Sequence, residues 1–336
     1  MSRGGITSGF IVSLLGTLLL PGCAGVSVAP TDNGTQYVLS YAENQKEEYP
    51  TTRGAQYFAS KVEEKTNGKV KINIFPEAQL GDETSTIEQL TFGGIDFTRV
   101  SLATLTDYSE EAVVLMMPYL YRDRDHMWRV LDGGIGDEVM TSFEGSGIVP
   151  LSWYDAGVRS FYTVQRVDSL AGMKGLSIRV QPSALMEDTI RALGADPVPV
   201  EFENVYSALQ TGEVDGAENN WSSYEAMDHY NVAPYYMEDE HTRIPELQIM
   251  SESTREKLPE EYLAVIDECA KDSAEYERRL WQEQEDAAKE KVLSSGCSEI
   301  KISSSEKEKF KEAVEPLYEQ YCAGHMDLVN DIRETE

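Results

Sequence analysis

The sequence is short of positive charge for its length. Of its 336 residues, 29 are lysine or arginine and 59 are aspartate or glutamate, so the formal net charge is −30 at pH 7. Nucleic acids and anionic lipid surfaces repel so acidic a chain, which excludes proteins that bind these polymers by general electrostatic attraction. The apolar share of 41% and the charged share of 26% are those of an ordinary globular protein. The length corresponds to about two domains.

The motifs of the common enzyme classes are also missing. The sequence has no GxSxG, GxxxxGK[ST] or HExxH segment, which would supply a nucleophile, a phosphate cradle or zinc ligands. The glycine-rich segment 133–136 lacks the GxGxxG spacing and indicates a turn between two helices. The four histidines lie far apart, and carboxylates are too abundant for any pair of them to indicate catalysis. We therefore expect a protein that is not an enzyme and that uses no cofactor or metal.

Long apolar runs are scarce, and the one that stands out is at the start. Residues 1–22 hold one basic residue and an apolar run ending at Leu20. This run is too short to span a bilayer but has the form of a secretory signal. It leads into LPGC at 20–23, which resembles the lipobox of bacterial lipoproteins, with Cys23 as the lipid-bearing residue; an ordinary signal peptide is the alternative. We expect an exported protein, lipid-anchored at the outer face of the cell membrane or in the periplasm, with 23–36 as a flexible tether.

Cysteine is rare after Cys23. The three remaining cysteines show no metal-binding spacing. Cys297 and Cys322 flank a strand end followed by a helix and could form a disulfide, since export permits one; two free thiols are the alternative. Cys269 lies on the apolar stripe of a predicted helix, so we expect it to be buried.

The periodicity of apolar residues predicts an α/β protein. Residues 69–75 alternate strictly between polar and apolar, as a half-buried strand does. Strands and helices alternate along both halves of the chain, which favours open α/β sheets. The predicted strands are 37–41, 69–75, 95–101, 147–154, 159–164, 176–180 and 196–200, and the predicted helices are 49–67, 82–92, 123–132, 183–193, 205–211 and 262–288.

The same pattern predicts two lobes with a cleft between them. The helix at 262–288 would be about 40 Å long, enough to brace both lobes. Ligands of open α/β sheets bind outside the carboxyl ends of the strands, so the binding site is expected in the cleft. We expect lobe I to comprise 37–156 with 245–284, and lobe II to comprise 157–244 with 285–332.

Three arginines lie near strand ends in apolar surroundings: Arg99, Arg159 and Arg179. A buried cation is unfavourable without an anionic partner. The planar guanidinium group matches a carboxylate with two parallel hydrogen bonds. For each arginine the partner could be a bound carboxylate ligand or one of the chain's own acids. The positions of the arginines in the sequence do not distinguish these two interpretations.

Several short motifs are spread between about Tyr37 and Ile332, each weakly specific alone. They are GKV at 68–70, FP at 75–76, QLG at 79–81, GID at 94–96, MPY at 117–119, GMKGL at 172–176, RV at 179–180, FENVY at 202–206 and VDGAEN at 214–219. In order and spacing they resemble the solute-binding proteins of tripartite ATP-independent periplasmic (TRAP) transporters. The resemblance implies a two-lobed, periplasmic-binding-protein-like fold, and a small anionic ligand captured by hinge closure. It also implies membrane subunits as partners, with the membrane reached only through a lipid anchor, and no role for nucleic acid.

The resemblance also implies which residues bind the ligand. Arg179 would form the main salt bridge to a ligand carboxylate, and Arg159 would support it. Asn219 would hydrogen-bond the ligand, and Phe202 would form an apolar wall. Trp153 and Trp221 are either further walls or core. The polar residues expected to serve ligand hydroxyls are Gln45, Glu47, Arg99, Ser101, Asn219 and Asn220, with a solvated acidic run as the alternative for Glu47.

Two segments resemble the branch of the family that binds uronates. They are EEYP at 47–50 and AENNWSSYE at 217–225. Sialic-acid binders usually carry an arginine soon after the strand at 95–101, where this chain has Ala-Thr-Leu at 103–105. We therefore expect a binder of D-glucuronate or D-galacturonate. The alternatives are a binder of another small carboxylate (sialic acid, a dicarboxylate or an aldonate) and an extracytoplasmic sensor domain of the same fold.

Overall fold

Two β-sheets organise the part of the chain that the structure describes. The computed structural model describes residues 34–336. The predicted signal segment 1–22, the predicted lipidation residue Cys23 and most of the tether at 23–36 lie outside the described residues. Within 34–336, every helix is either too short or too polar to cross a bilayer.

The first sheet has five strands in the order β2-β1-β3-β10-β4. Strands β1 (Tyr37–Ala42), β2 (Val70–Phe75) and β3 (Phe97–Ser101) run parallel. Strand β10 (Glu246–Ser251) runs antiparallel to both β3 and β4 (Ile148–Tyr154). All five strands fall within the sequence ranges predicted for lobe I.

The second sheet has six strands in the order β11-β9-β5-β8-β6-β7. Strands β6, β7 and β8 are mutually parallel, β5 is antiparallel to both β8 and β9, and β11 is parallel to β9. All six fall within the ranges predicted for lobe II. Their bounds are Arg159–Thr163 (β5), Ser177–Val180 (β6), Asp196–Pro199 (β7), Gly216–Asn219 (β8), Tyr235–Thr242 (β9) and Ser298–Lys301 (β11).

The chain crosses between the sheets through residues 155–158 and 243–245, here called the hinge segments. Arg159 lies opposite Thr242 in the second sheet, and Glu246 lies opposite Tyr154 in the first. The two hinge segments therefore run side by side and in opposite directions. A third crossing follows through residues 252–297, between β10 and β11. The two lobes can rotate about these connections.

Fourteen helices surround the sheets in residues 34–336. They are α1 (Pro50–Lys65), α2 (Glu83–Thr91), α3 (Glu110–Val114), α4 (Arg124–Leu131), α5 (Gly134–Thr141), α6 (Leu170–Met173), α7 (Ala184–Ala192), α8 (Val205–Thr211), α9 (Trp221–Ala226), α10 (Glu252–Lys257), α11 (Glu260–Ser294), α12 (Ser304–Val314), α13 (Pro316–Cys322) and α14 (Met326–Glu334). Short 3-10 turns occupy Leu102–Leu105, Phe202–Asn204 and His229–Asn231.

Helix α11 braces both sheets, as the sequence predicts. It has 35 residues, which makes it about 50 Å long at 1.5 Å per residue. It packs against α1 and β4 beside the first sheet and against α9 beside the second. The hydroxyl of Tyr154 donates to Ser273 of α11 at 2.8 Å. The two-lobed α/β fold with a long bracing helix is thus confirmed.

Local chemistry sets several helix ends. The Asp82 side chain accepts the Ser85 amide at 2.7 Å and starts α2, and Asp123 does the same for His126 in α4. Gly212 ends α8 with φ +74°, a left-handed conformation that favours glycine. These are the residue types from which helix boundaries can be predicted.

The glycine-rich segment 133–136 differs from its prediction. Gly133 precedes α5, and residues 134–136 form the first turn of that helix rather than a loop. A Cβ on Gly136 would lie 1.9 Å from the Leu131 carbonyl oxygen. The glycine is therefore needed because α4 and α5 meet closely at this point.

Of the two alternatives for Cys297 and Cys322, a disulfide or two free thiols, the structure has the free thiols. The Cys297 sulfur lies 3.5 Å from the Tyr230 carbonyl oxygen, beside the second sheet. Cys322 is fully buried in the core shared by α12, α13 and α14. Cys269 is fully buried, as predicted.

Candidate ligand-binding site

A cavity lies between the two sheets, at the carboxyl ends of β1, β6, β7 and β8. About 510 Å³ of empty space lies between its walls, counting the opening to solvent. This is where ligands bind in open α/β sheets. The first lobe contributes Asn44, Gln45, Tyr49, Thr51, Glu83, Arg99, Thr104, Ala156 and Glu246; the second contributes Arg159, Arg179, Gln181, Pro182, Glu201, Phe202, Asn219, Asn220 and Ser223; and α11 contributes Trp281.

The lobes are closed over this cavity. The Tyr49 and Ser223 hydroxyls share a hydrogen bond of 2.9 Å between the lobes. The Thr84 hydroxyl donates to Glu201 across the cleft at 2.9 Å, and Lys46 donates to the Ala226 carbonyl oxygen. The cavity geometry is therefore that of a closed binding protein.

Arg179 forms no ion pair with any described residue. It projects from β6 and is only 1% exposed. Its Nε donates to the Val200 carbonyl oxygen at 2.7 Å, whereas its buried Nη1 has no hydrogen-bond partner within residues 34–336. Burial lowers its pKa, but an arginine keeps its proton at neutral pH. The cavity thus contains a buried cation that lacks a counter-ion.

Arg159, by contrast, is paired within the protein. Its Nε lies 2.5 Å and its Nη2 2.8 Å from the Glu218 carboxylate, and Nη2 also reaches the Glu218 carbonyl oxygen at 3.0 Å. Burial opposes the charged forms of both groups. Their mutual attraction outweighs it, raising the pKa of Arg159 and lowering the pKa of Glu218 to about 2. Arg159 lines the cavity, but its charge is already balanced.

Behind Arg159 the pairing continues as a buried chain of alternating charges. His241 lies with Nε2 3.6 Å from Glu218 and Nδ1 3.0 Å from Asp239. Burial alone would lower the His241 pKa, but Asp239 and Glu218 raise it to about 9. The four groups (Arg159, Glu218, His241 and Asp239) are therefore neutral as a set, and they fix the cavity wall rather than attract an anion.

Arg99 is held by three carboxylates of the first lobe. It pairs with Glu43, with Glu83 at 3.1 Å and with Glu246 at 2.7 Å, and its Nη2 also donates to Asn44 at 2.6 Å. All its nitrogens are engaged, so it cannot serve ligand hydroxyls as predicted. It instead positions Glu83 and Glu246 on the cavity wall, where carboxyl oxygens can accept hydroxyl hydrogens.

The remaining predicted residues divide into two groups. Gln45, Asn219 and Phe202 line the cavity, and the buried Oε1 of Gln45 has no hydrogen-bond partner among the described residues. Asn220 also lines it, but its Nδ2 donates to the Ala156 carbonyl oxygen at 3.0 Å and its Oδ1 accepts the Ser223 amide at 2.6 Å as the cap of α9. The Asn220 side chain is therefore structural.

Ser101 and Glu47 are not among the residues that line the cavity. Ser101 is buried, and its hydroxyl accepts the Ala103 amide at the start of a 3-10 turn. Glu47 is exposed to solvent in the turn before α1. The structure therefore agrees with the alternative that Glu47 belongs to a solvated acidic run. Trp153 and Trp221 belong to the hydrophobic core.

Sequence reasoning missed several cavity residues. Glu83 and Glu246 carry no local signal, because acids are common in this chain and only their convergence on Arg99 distinguishes them. Trp281 comes from α11, and its ring meets the Tyr49 ring edge-on at 5.7 Å. Tyr49 lies within the EEYP motif at 47–50, and Gln181 follows the RV motif at 179–180. Their position in or beside a family motif is the signal that could have found them.

The buried titrating groups predict a pH dependence of stability. Burial, with the neighbouring Glu246, raises the pKa of Glu83 from 4.5 to about 8, and that of His241 rises from 6.5 to about 9. Both groups hold their protons more tightly when folded, so their stabilising effect is lost as the pH rises through these values. Glu218 acts oppositely, since its pKa falls from 4.5 to about 2 and its contribution is lost below pH 4.5.

We therefore expect the free energy of unfolding to fall by more than about 2 kcal/mol between pH 5 and pH 9, since one pKa unit corresponds to about 1.4 kcal/mol. Urea unfolding at each pH measures this. The Glu83→Gln variant, which removes one titrating group, should show a shallower slope. A free energy that stays flat or rises across this range would contradict the assignment.

Two lobes joined by paired hinge segments, closed over a cavity with an uncompensated arginine, define a periplasmic-type solute-binding protein. Residues 41–324 match the family model of bacterial extracellular solute-binding protein, family 7 (DctP), and the chain belongs to this family. This is the family of TRAP solute-binding proteins, whose members are the substrate-binding components of transporters. The family membership that the sequence motifs predict is confirmed.

The chain is similar to proteins with known ligands. A TRAP solute-binding protein from Bradyrhizobium sp. BTAi1, in complex with α/β-D-galacturonate, is 38% identical with a TM-score of 0.86 and covers 88% of this chain and 99% of its own. One from Pseudomonas putida F1, with bound D-glucuronate, is 34% identical with a TM-score of 0.86 and covers 88% and 97%. One from Sulfurospirillum deleyianum, with bound succinate, is 28% identical with a TM-score of 0.85 and covers 90% and 100%. A solute-binding protein of Chromohalobacter salexigens is 34% identical over 86% of each chain.

Proposed function

We propose that this protein captures a hexuronate, D-glucuronate or D-galacturonate, and delivers it to the membrane subunits of a TRAP transporter. The observation that carries the proposal is Arg179, a buried cation without a counter-ion at the cavity. A ligand carboxylate on its free Nη1 would complete the pairing with a charge-assisted hydrogen bond. Similarity to galacturonate- and glucuronate-bound proteins supports the same ligand class.

The balance of charge favours a ligand with one carboxylate. Of the three arginines at the cavity, Arg99 and Arg159 are neutralised by the chain's own acids. A second ligand carboxylate would meet Glu83, Glu246 or Glu201, which also line the cavity. These carboxyl groups suit hydroxyls instead, as acceptors when ionised and as donors when protonated. A hexuronate offers one carboxylate and several hydroxyls, whereas a dicarboxylate does not.

Capture would proceed by closure of the lobes about the hinge segments. Arg179 belongs to the second lobe, while Glu83 and Glu246 belong to the first, so a ligand that touches both prefers the closed arrangement. We also propose that the protein is exported and that a lipid anchor on Cys23 holds it near its membrane partners.

Isothermal titration calorimetry with D-glucuronate, D-galacturonate and succinate tests the ligand class. We expect at least one uronate to bind at a single site and at least 100-fold more tightly than succinate, because a second carboxylate would lie unpaired beside buried acids. Binding of succinate with no heat from either uronate would overturn the uronate assignment.

A further inference from the structure

A second concavity lies along the hinge, outside the ligand cavity. Its lining comprises Val158 and Arg243 of the hinge segments, residues 119–122, and residues of β9 and α12. We call it the hinge groove. None of its lining residues lines the ligand cavity, so it is a separate feature of the fold.

The hinge groove concentrates positive charge in an acidic protein. Arg122, Arg243, Lys307 and Lys311 line it with one acid, Glu240. These are four of only 29 basic residues in a chain of net charge −30. Like charges gathered at one place repel each other, and a bound anion relieves that repulsion.

The pairing of these four cations leaves the groove positive. Lys307 donates to Glu240 at 2.7 Å, and Lys311 to Glu308 on its own helix at 2.7 Å. Arg122 donates to the main-chain oxygens of Arg333 and Thr335, which do not neutralise it. Arg243 forms no ion pair or hydrogen bond with any described residue. Its charge acts on the buried Glu285 only at longer range, where it opposes the rise that burial causes in the pKa of that carboxyl group.

The groove is also shaped by unusual backbone. Tyr119 and Glu240 line it with φ of +57° and +54°, in the left-handed region that non-glycine residues rarely adopt. The Tyr119 amide donates to the His241 carbonyl oxygen at 2.8 Å, which holds this conformation in place. The buried Tyr121 hydroxyl, also in the lining, has no hydrogen-bond partner within residues 34–336. Backbone conformations of this kind cluster at binding sites.

We propose that the hinge groove binds a small oxyanion carrying two negative charges, with Arg243 and Lys311 as its principal partners. Lys307 and Lys311 lie four residues apart on α12 and so share a helix face. Arg243 belongs to a hinge segment, and Arg122 to the segment that precedes α4. A dianion matches a groove with four cations and one acid better than a neutral molecule or a cation does.

Inorganic phosphate at pH 7.5, without any uronate, is the probe. Thermal unfolding should show a saturable rise in Tm with phosphate that sodium chloride of equal ionic strength does not reproduce. Calorimetry should show a single phosphate site. The Arg243→Gln and Lys311→Gln variants should each weaken phosphate binding at least tenfold.

Lys309→Gln is the matched control, because it removes the same charge from α12 outside the groove, where Lys309 pairs with Glu306. It should bind phosphate like the wild type. The absence of saturable binding, or an equal loss in Lys309→Gln and Lys311→Gln, would overturn the proposal. Since Lys311 is on the surface of α12, its substitution tests the groove even if Arg243→Gln perturbs the hinge. The uronate assignment is unaffected by either result.

Discussion

Replacing Arg179 with methionine should weaken uronate binding by at least roughly 30-fold and leave the fold intact. The ligand carboxylate would lose its only uncompensated cation and would be buried unpaired. Loss of one partner from a buried, hydrogen-bonded charge pair costs about 2–5 kcal/mol, or roughly 30- to 5,000-fold in affinity. Calorimetry with the uronate that binds the wild type measures this loss.

The stability of the same variant provides an independent check. Arg179 is 1% exposed, and its Nη1 has no hydrogen-bond partner within residues 34–336. Methionine fills similar space without a buried charge, so the free energy of unfolding should stay equal to that of the wild type or rise. Urea unfolding tests this.

Arg191→Met is a matched control for the binding loss. It removes an arginine from α7 that is exposed and paired with Glu187 and Asp188. It should leave uronate affinity unchanged. Arg179→Lys should bind the uronate more weakly than the wild type but more tightly than Arg179→Met. Lysine keeps the positive charge but lacks the planar guanidinium group that can donate two parallel hydrogen bonds to a carboxylate. If Arg179→Met binds uronate within threefold of the wild type, the arginine does not hold the carboxylate.

Replacing Glu218 with glutamine should lower the free energy of unfolding by about 3–5 kcal/mol at pH 7. Glutamine keeps the shape but leaves the buried charges of Arg159 and His241 with only Asp239 as a counter-charge. Urea unfolding measures the loss. Glu213→Gln, in the exposed turn before β8, should change stability by less than about 0.5 kcal/mol.

A double-mutant cycle separates this charge effect from simple disruption of packing. The Arg159→Gln/Glu218→Gln variant removes both charges of the pair, so it should be more stable than the sum of the two single losses predicts. A loss below about 1 kcal/mol in Glu218→Gln, or strictly additive losses in the double variant, would show that the pair is not a coupled unit.

Most elements of this fold could be predicted because their signals are local. The alternation at 69–75 became β2, and the apolar stripe at 262–288 became the middle of α11. Strand β9 was missed because its sequence, YYMEDEHT, contains three acids and a histidine in a row. Asp239 and His241 are buried there only because they pair with each other and with Glu218, and no local pattern reports such pairing.

The sequence by itself determined the class of protein: two α/β lobes, a bracing helix and a set of motifs that identify the family. It also showed three arginines near strand ends, which spacing alone does not distinguish, although the family resemblance singles out Arg179 for the ligand carboxylate. Only the tertiary structure shows their ion-pair partners, because the fold brings three acids to Arg99, places Glu218 against Arg159 from 59 residues away, and pairs no described acid with Arg179. Charge pairing depends on distances of a few ångströms between residues remote in sequence. With 59 acids available, composition could not show which arginine is left for a ligand.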